Sequence, residues 1–441
     1  MSMKLIRKNF MVHELKEGSA CAYNKGVLTV NFDELLAAAK PHSKNLSKIS
    51  FEVYRPGENA RIIHVLDTIQ PMYKVQKPEK WGGAEYPGIL NYPYTAGNGI
   101  THLLGGFSIM QCCALPWDEN NASSGLLYTR DAIIQTTGFY KHYTPFADMI
   151  NLIMNIEVIE GKSAEEYDTD IRKSSMAVAQ YLAQLTAEQE ADSIEEFDNT
   201  PAKDLPKVAL VWQCQNQGVY ANTLLYGQPI NDIVPTLLEP NEMLDGCVVG
   251  GNIAWPAFKV PTFIHTNHPI LLELYRRHGV DLNFMGVIFC RSHNPSNWHK
   301  DRCAQIVAKM ADQLGCQGLV MAWEGGGNAA IDGMLTIQNG QWRGIKGSLL
   351  TFEFGGKDGT EGQLLVDDVP EADAVVSTGS WERPVHLEKV EKVYGGATLR
   401  LNKEMGGWFP DGKEAISFET NVHMYMGGNQ SGYSRITCHE Y

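Results

Sequence analysis

Between Glu242 and Glu324 three short apolar runs each break off into polar or glycine-rich residues. Val248-Val249 runs into Gly250-Gly251-Asn252, Met285 to Phe289 into Cys290 to Asn294, and Leu319 to Trp323 into Glu324 to Asn328. No other stretch constrains the fold as much. Runs of this length suit buried strands. Between them, His268 to His278 and Lys300 to Leu314 carry apolar residues at helical spacing. Strands that alternate with helices predict a parallel sheet, with ligands gathering at the carboxyl ends of its strands.

The same alternation begins at Lys207 to Trp212 and continues through Arg343 to Phe354 and Ala372 to Ser377. Residues 206–441 are therefore expected to be an α/β domain with a mostly parallel open sheet. Residues 1–205 read as a β-rich α+β domain. In it, Gly26 to Asn31 is a strand leading to Asp33 as N-cap of a helix Glu34 to Lys40. Lys48 to Arg55 and Arg61 to Leu66 read as a hairpin around Pro56-Gly57. Trp81 to Gly106 is a long glycine-bearing loop, Met149 to Ile159 an apolar run and Ala164 to Glu190 a helix. The acidic segment Ala191 to Pro206 is the expected linker, and the tail after Gly395 is β-like in composition.

A net charge of -14 argues against nucleic-acid binding, and no apolar stretch is long enough to span a bilayer. Nine cysteines without a framework spacing, and no apolar leader, suit reduced thiols in a cytoplasmic protein.

The strand ends supply the candidate site: a crevice between the domains walled by Asn252, His265, Asn267, His268 and Glu324. The His265/His268 spacing can hold a carboxylate, shuttle protons or ligate a metal, and it can equally cap the helix after Pro269; no third ligand is set by spacing, so no metal is expected. Glu324 can pair an ammonium group, with Gly325, Gly327 and Asn328 as the close-approach turn beside it. Glu353, before Gly355-Gly356, is a second acidic strand end. Cys214 and Cys247 read as core residues. Arg55 and Arg61 can hold a carboxylate, although surface ion pairs are the commoner outcome.

Several motifs in order carry a resemblance. In the first half they are Arg55 to Glu58 with Arg61 to Val65, Gly97 to Leu104, and Tyr143 to Phe146. In the second they are Gln215 to Gly218, Ile233 to Leu237, Glu242 to Asn252, His265 to Pro269, Glu324 to Asn328, and Glu353. On these the chain resembles the substrate-side subunit of component B of the anaerobic glycine, sarcosine and betaine reductases, and more distantly its D-proline reductase counterpart. The resemblance implies reductive cleavage of a carbon–heteroatom bond in a small amine or betaine-like compound. It also implies a homo- or hetero-oligomer with a partner subunit bearing a selenocysteine or cysteine. Family members are cut at an Asn-Cys pair whose cysteine becomes a pyruvoyl group. Here the pair falls on Asn252-Ile253, so no pyruvoyl cofactor is expected. The alternative is a catalytically silent ligand-binding or structural subunit that keeps the family fold.

Overall fold

The computed structural model describes residues 3–76, 96–116, 131–202, 204–216, 223–251, 255–356, 360, 365–400, 408–409 and 411–434. The second half is built on a six-stranded sheet. Its strands are β1 (Lys207–Cys214), β2 (Thr236–Leu238), β3 (Asn283–Arg291), β4 (Gly318–Trp323), β5 (Lys346–Glu353) and β6 (Val375–Ser380), in spatial order β2-β3-β1-β4-β5-β6. Every neighbouring pair is parallel except β2 with β3. The chain leaves β1 for β3 on one side and then crosses back to β4 on the other. In an open sheet such a reversal is where ligands characteristically bind, at the carboxyl ends of the two central strands, here β1 and β4.

Three helices cover the sheet: α1 (Pro269–Arg277), α2 (Asn297–Gln313) and α3 (Ala329–Trp342). Alternate residues of β1 serve opposite faces, as strand periodicity requires. Leu210, Trp212 and Cys214 share a core with Leu271 and Leu274 of α1. Ala209 and Val211 share another with Val307 of α2 and Ile337 of α3. The α1 face is also where the first half packs, because Tyr54, Met110, Phe146 and Ile153 belong to the same buried cluster as Trp212.

The first half holds two four-stranded sheets. In one, Leu5–Met11 lies between Ser193–Phe197 and Gly99–Gly105, with Met72–Gln76 at the edge; in the other, Leu46–Tyr54, Ile150–Val158, Phe107–Cys112 and Val65–Ile69 lie side by side. The helix Ala164–Gln184 starts at a capping box of Ser163 and Glu166 and buries Ile171, Val178 and Leu182. The chain later returns to this half, where Lys392–Tyr394 pairs in parallel with Ala60–Ile63.

Several expectations are corrected. Lys48 to Arg55 and Arg61 to Leu66 form no hairpin. The first strand pairs with Ile150–Val158, whereas Ala60–Ile63 pairs with Ile133–Gln135 and Val65–Ile69 with Phe107–Cys112. His64, at φ +59°, breaks the return segment in two and sends its halves to different sheets. Val248-Val249 is outside the parallel sheet and pairs antiparallel with Leu224-Leu225. Asn31, not Asp33, caps the first helix, accepting from the Asp33 and Glu34 amides. The expected linker contains the strand Ser193–Phe197, and the expected loop contains the strand Gly99–Gly105; Trp81 to Thr95 lies outside the described residues. Arg61 is fully buried. It donates to the carbonyls of Glu388 and Glu414 at 2.8 and 2.9 Å and to that of Gly412, so it ties the tail to the first half.

Candidate functional site

Glu324 directly follows β4 at its carboxyl end. Its amide continues the ladder to Gln213 O at 2.8 Å, and its own carbonyl accepts from Ser292 Oγ, just past β3, at 3.0 Å. The ends of β1, β3 and β4 thus meet at this residue. Its carboxyl oxygens accept from the amides of Gln215 (3.1 Å) and Val260 (3.1 Å). Those bonds favour the anion, yet complete burial wins and pushes the carboxyl up to about 8; nearby Lys259 acts in the opposite direction.

Lys259 and Asp67 complete the charged centre. Lys259 Nζ lies 3.4 Å from Asp67 Oδ1 and donates to Gly251 O at 2.6 Å. Asp67, on Val65–Ile69 of the first half, accepts from the Thr262 amide at 2.9 Å and from Thr262 Oγ1 at 2.5 Å. All three ionisable groups are inaccessible to solvent. Burial lowers the Lys259 ammonium, and the charges of Asp67 and Glu324 oppose that shift. One lysine therefore lies within electrostatic range of two carboxylates, and the upward shift of Glu324 favours its protonated form.

The same side chains clamp the backbone that leads to Asn252. Gly250 N donates to Thr262 Oγ1 at 2.9 Å, Gly250 O accepts from Arg172 Nη1 at 3.2 Å, and Gly251 N donates to Thr223 Oγ1 at 3.3 Å. A Cβ on Gly250 would sit 2.5 Å from Val260 O, so only glycine permits the approach. Asn252 and Ile253 lie outside the described residues.

His265 and His268 are both buried against Trp212, with ring centroids 5.8 and 4.5 Å from it. His268 caps α1, its Nδ1 accepting from Leu271 N at 3.4 Å, while its Nε2 has no hydrogen-bond partner in the protein. Neither nitrogen of His265 makes a well-formed hydrogen bond. Burial drives both imidazoles neutral, His268 down to about 3 and His265 well below its usual range, where the His268 and Lys259 charges add to the effect. His268 Nε2 is therefore a buried ring nitrogen that the protein itself leaves unsatisfied, which is uncommon. Among the described residues, no three His, Cys, Asp or Glu side chains are grouped to hold a metal ion.

The structure thus places His265 and His268 against Trp212 of β1, and Glu324 and Gly325 just past β4, with Lys259 within electrostatic range of both His265 and Glu324. Gly325 lies at φ +126°, its N–H donating to Gln430 Oε1 at 3.2 Å and its carbonyl accepting from Gln430 Nε2. A Cβ there would meet Gln215 Oε1 at 2.6 Å, and one on Gly326 would enter the Phe258 ring. Tight packing therefore explains these two glycines. Gly327 takes a left-handed turn at φ +59°. Asn328 is exposed at the start of α3, where its side chain makes no cap bond. Glu353 is half-buried at the end of β5, one strand away. Asn267 is engaged elsewhere, donating to Gln70 Oε1 at 2.7 Å and accepting from Arg7 Nη2 at 3.2 Å.

Reading the sequence missed Asp67, Lys259, Thr262 and Gln430. The tail segment 421–433 passes over the strand ends, where Gly428 N donates to Ala257 O at 2.7 Å and the half-buried Tyr433 lies within electrostatic range of Glu324. Its Gly427-Gly428 pair was the available signal; a Cβ on Gly428 would press on the Ala257 carbonyl at 2.9 Å.

A doubly wound sheet with a buried acid–lysine–acid centre at its strand ends defines the class as α/β. Comparison with known proteins carries this further. The profile of glycine/sarcosine/betaine reductase component B subunits matches residues 3–439, and the chain belongs to that family. It is 31% identical over 447 residues, all of both chains, to the sarcosine reductase complex component B subunit alpha of Peptoclostridium acidaminophilum. It is 30% identical, again along the whole of both, to the glycine reductase complex component B subunits alpha and beta of Acetoanaerobium sticklandii and to the betaine reductase complex component B subunit alpha of P. acidaminophilum. No solved structure matches the chain.

Proposed function

We propose that this chain is the substrate-holding subunit of a two-component reductase, which cleaves a C–N or C–S bond of a small amine or betaine-like compound without a pyruvoyl group. The observation that carries the reading is the unbalanced centre. Lys259 pairs with Asp67 within electrostatic range of Glu324, and the deficit of positive charge is met by a proton on Glu324. A cationic ligand supplies the missing charge, and Glu324 then gives up its proton.

Two features support the rest. Pyruvoyl formation needs a side chain that attacks the preceding carbonyl and then leaves by β-elimination; Ile253 offers no heteroatom for either step. Cys247, the nearest thiol in sequence, is buried and pushed well above its usual pKa. Cys112, Cys214 and Cys290 are pushed up in the same way, and Cys21 and Cys316 to about 11, which supports placing the reactive thiol or selenol on a partner.

Calorimetric titration of the intact protein with betaine and sarcosine, in buffers of differing ionisation enthalpy near pH 7, tests the reading. Uptake with release of about one proton per ligand, lost in Glu324→Gln, is the expected result. Binding without proton release sinks it. The isolated chain should not turn ligand over with a dithiol, and it should run under denaturing conditions as one polypeptide of 49.0 kDa that does not react with hydrazine. A second reading, a ligand-binding subunit without chemistry, is favoured by Ile253 alone. Ligand binding that persists when no thiol- or selenol-bearing subunit restores turnover would select it.

A further inference from the structure

Asp67, Lys259, His265, His268 and Glu324 have no contact with solvent. A ligand can reach them only if part of the covering chain moves. The tail residues 426–434 have the construction that such a movement needs.

Up to Tyr425 the tail is fixed to the first half. His423 O accepts from Ile133 N at 2.8 Å, Tyr425 N donates to Ile133 O at 2.9 Å, and Met424 shares a core with Ile133 and Tyr143. Residues 426–434 form neither helix nor strand and close on themselves instead. Asn429 N donates to Met426 O at 3.1 Å, Gly432 N to Asn429 O at 2.9 Å, Ser434 N to Asn429 Oδ1 at 2.8 Å, and Tyr433 Oη to Met426 O at 3.1 Å. A compact loop whose ends are tied together moves as a unit. Its entry is strained. Met426 and Asn429 lie in the left-handed region, at φ +65° and +48°, on either side of Gly427-Gly428. Strain of this kind concentrates at ligand clamps and switch regions.

Gln430 clasps the inner side of the loop to the site. It is fully buried, its Oε1 accepting from Gly325 N at 3.2 Å and its Nε2 donating to Gly325 O. Gly325 directly follows Glu324, and Tyr433 lies within electrostatic range of that carboxyl. Met426 N and Gly428 N donate to Pro256 O (3.0 Å) and Ala257 O (2.7 Å), just before Lys259. Gly432, two residues beyond Gln430, is exposed, so the loop reaches from the buried centre to solvent. The clasp on Gly325 is two neutral hydrogen bonds, which water replaces at small cost once the loop lifts.

We infer that residues 426–434 are a lid, hinged at Met426 to Asn429 and latched by Gln430 on Gly325, and that ligand reaches the Glu324–Lys259 centre beneath it. The ligand's route rests on the function proposed above; the opening does not.

Hydrogen exchange of the intact protein, read by mass spectrometry on peptides that hold the Gln215 and Val260 amides, tests the lid. Both amides are bonded to Glu324. With the lid amide of Gly428, they should exchange through a partial opening that low urea does not accelerate, whereas interior amides of α3 follow global unfolding. Gln430→Ala should speed this partial exchange about tenfold or more, because the opening breaks the clasp. Stopped-flow mixing with betaine should show association and dissociation both faster in Gln430→Ala, with affinity changed far less than either rate. Exchange of Gln215 and Val260 only with α3, or at an unaltered rate in folded Gln430→Ala, overturns the inference. Betaine rates unchanged in that variant overturn it too, since entry then lies elsewhere. If Gln430→Ala does not fold, Gln430→Met and the urea series on the unaltered protein decide. Faster exchange in a variant and parent that both fail to bind betaine supports the lid and sinks the proposed function.

Discussion

Two buried lysine–aspartate pairs sit at the carboxyl side of the same sheet and do different work. Lys300, on α2, pairs with Asp332, on α3, and also donates to Asn328 O at 3.2 Å; Asp332 in turn accepts from Asn294 Nδ2 at 2.6 Å. One cation meets one anion there, and the pair braces the starts of two helices. Lys259 meets Asp67 in the same manner but also lies within electrostatic range of Glu324 and His265. A buried ion pair is by itself weak evidence of function, since balanced pairs serve as structural staples. Charge stoichiometry separates the two: the centre with one carboxylate too many needs a proton or a cationic ligand.

The most severe way to break the comparison is to remove each lysine. Lys300→Met and Lys259→Met should each cost about 3–5 kcal/mol, because an uncompensated carboxylate stays buried. Urea unfolding at several pH values should then distinguish them. Lys259→Met removes the charge that holds Glu324 down, so the pH at which Glu324 ionises should rise above 8. Lys300→Met should leave that pH where it is. An equal displacement in both variants would mean that the two pairs are electrostatically equivalent and that the Lys259 centre has no special standing.

The contrast also shows what could be seen in advance. The parallel sheet, its helices and Glu324 at a strand end were legible, because alternation and helical spacing are local properties. The partners of Glu324 were not. Asp67 lies 257 positions away in the first half, on a fully buried strand without polar alternation. Lys259 reads as an ordinary surface lysine, and nothing local indicates that its ammonium is buried. Asn252 and the Val248-Val249 run looked like a strand end of the main sheet, yet two residues cannot specify which sheet they join, and tertiary pairing with Leu224-Leu225 decided it. Asn267 looked like a site residue by its position between two histidines, whereas its amide is committed to Gln70 and Arg7.

A gentler test is the pH dependence of stability. Glu324 is raised from 4.5 to about 8, so across that interval the folded chain keeps a proton that the unfolded chain has lost. Stability therefore falls as pH rises through the window and levels off above 8. His268, lowered to about 3, gives the opposite slope, with stability lost as pH falls below 6.5. Glu242, raised to about 7 by burial, adds to the slope of Glu324 below 7. From pH 6.5 to 8 Glu324 dominates, and a fall of roughly 2 kcal/mol is expected. Glu324→Gln should flatten it, although it also costs about 1–3 kcal/mol, since an amide cannot accept from both the Gln215 and Val260 amides. An unchanged slope in that variant would show that another group titrates.

The smallest effect is expected at Asn328, which lies beside Glu324 in sequence. Its side chain is exposed and makes no cap bond, and the contact to Lys300 goes through its backbone carbonyl, which any residue would keep. Asn328→Ala should therefore change unfolding free energy by no more than about 0.5 kcal/mol. It should also leave betaine affinity unchanged if the ligand lies on the Lys259 side of the turn. Gly326→Ala, two residues earlier, supplies the internal control. Its Cβ would enter the Phe258 ring, and overpacking of this kind costs roughly 1–3 kcal/mol. Loss of ligand affinity in Asn328→Ala at full stability would move the binding surface outward to the exposed turn, and the balanced Lys300 pair beneath it would then border the site.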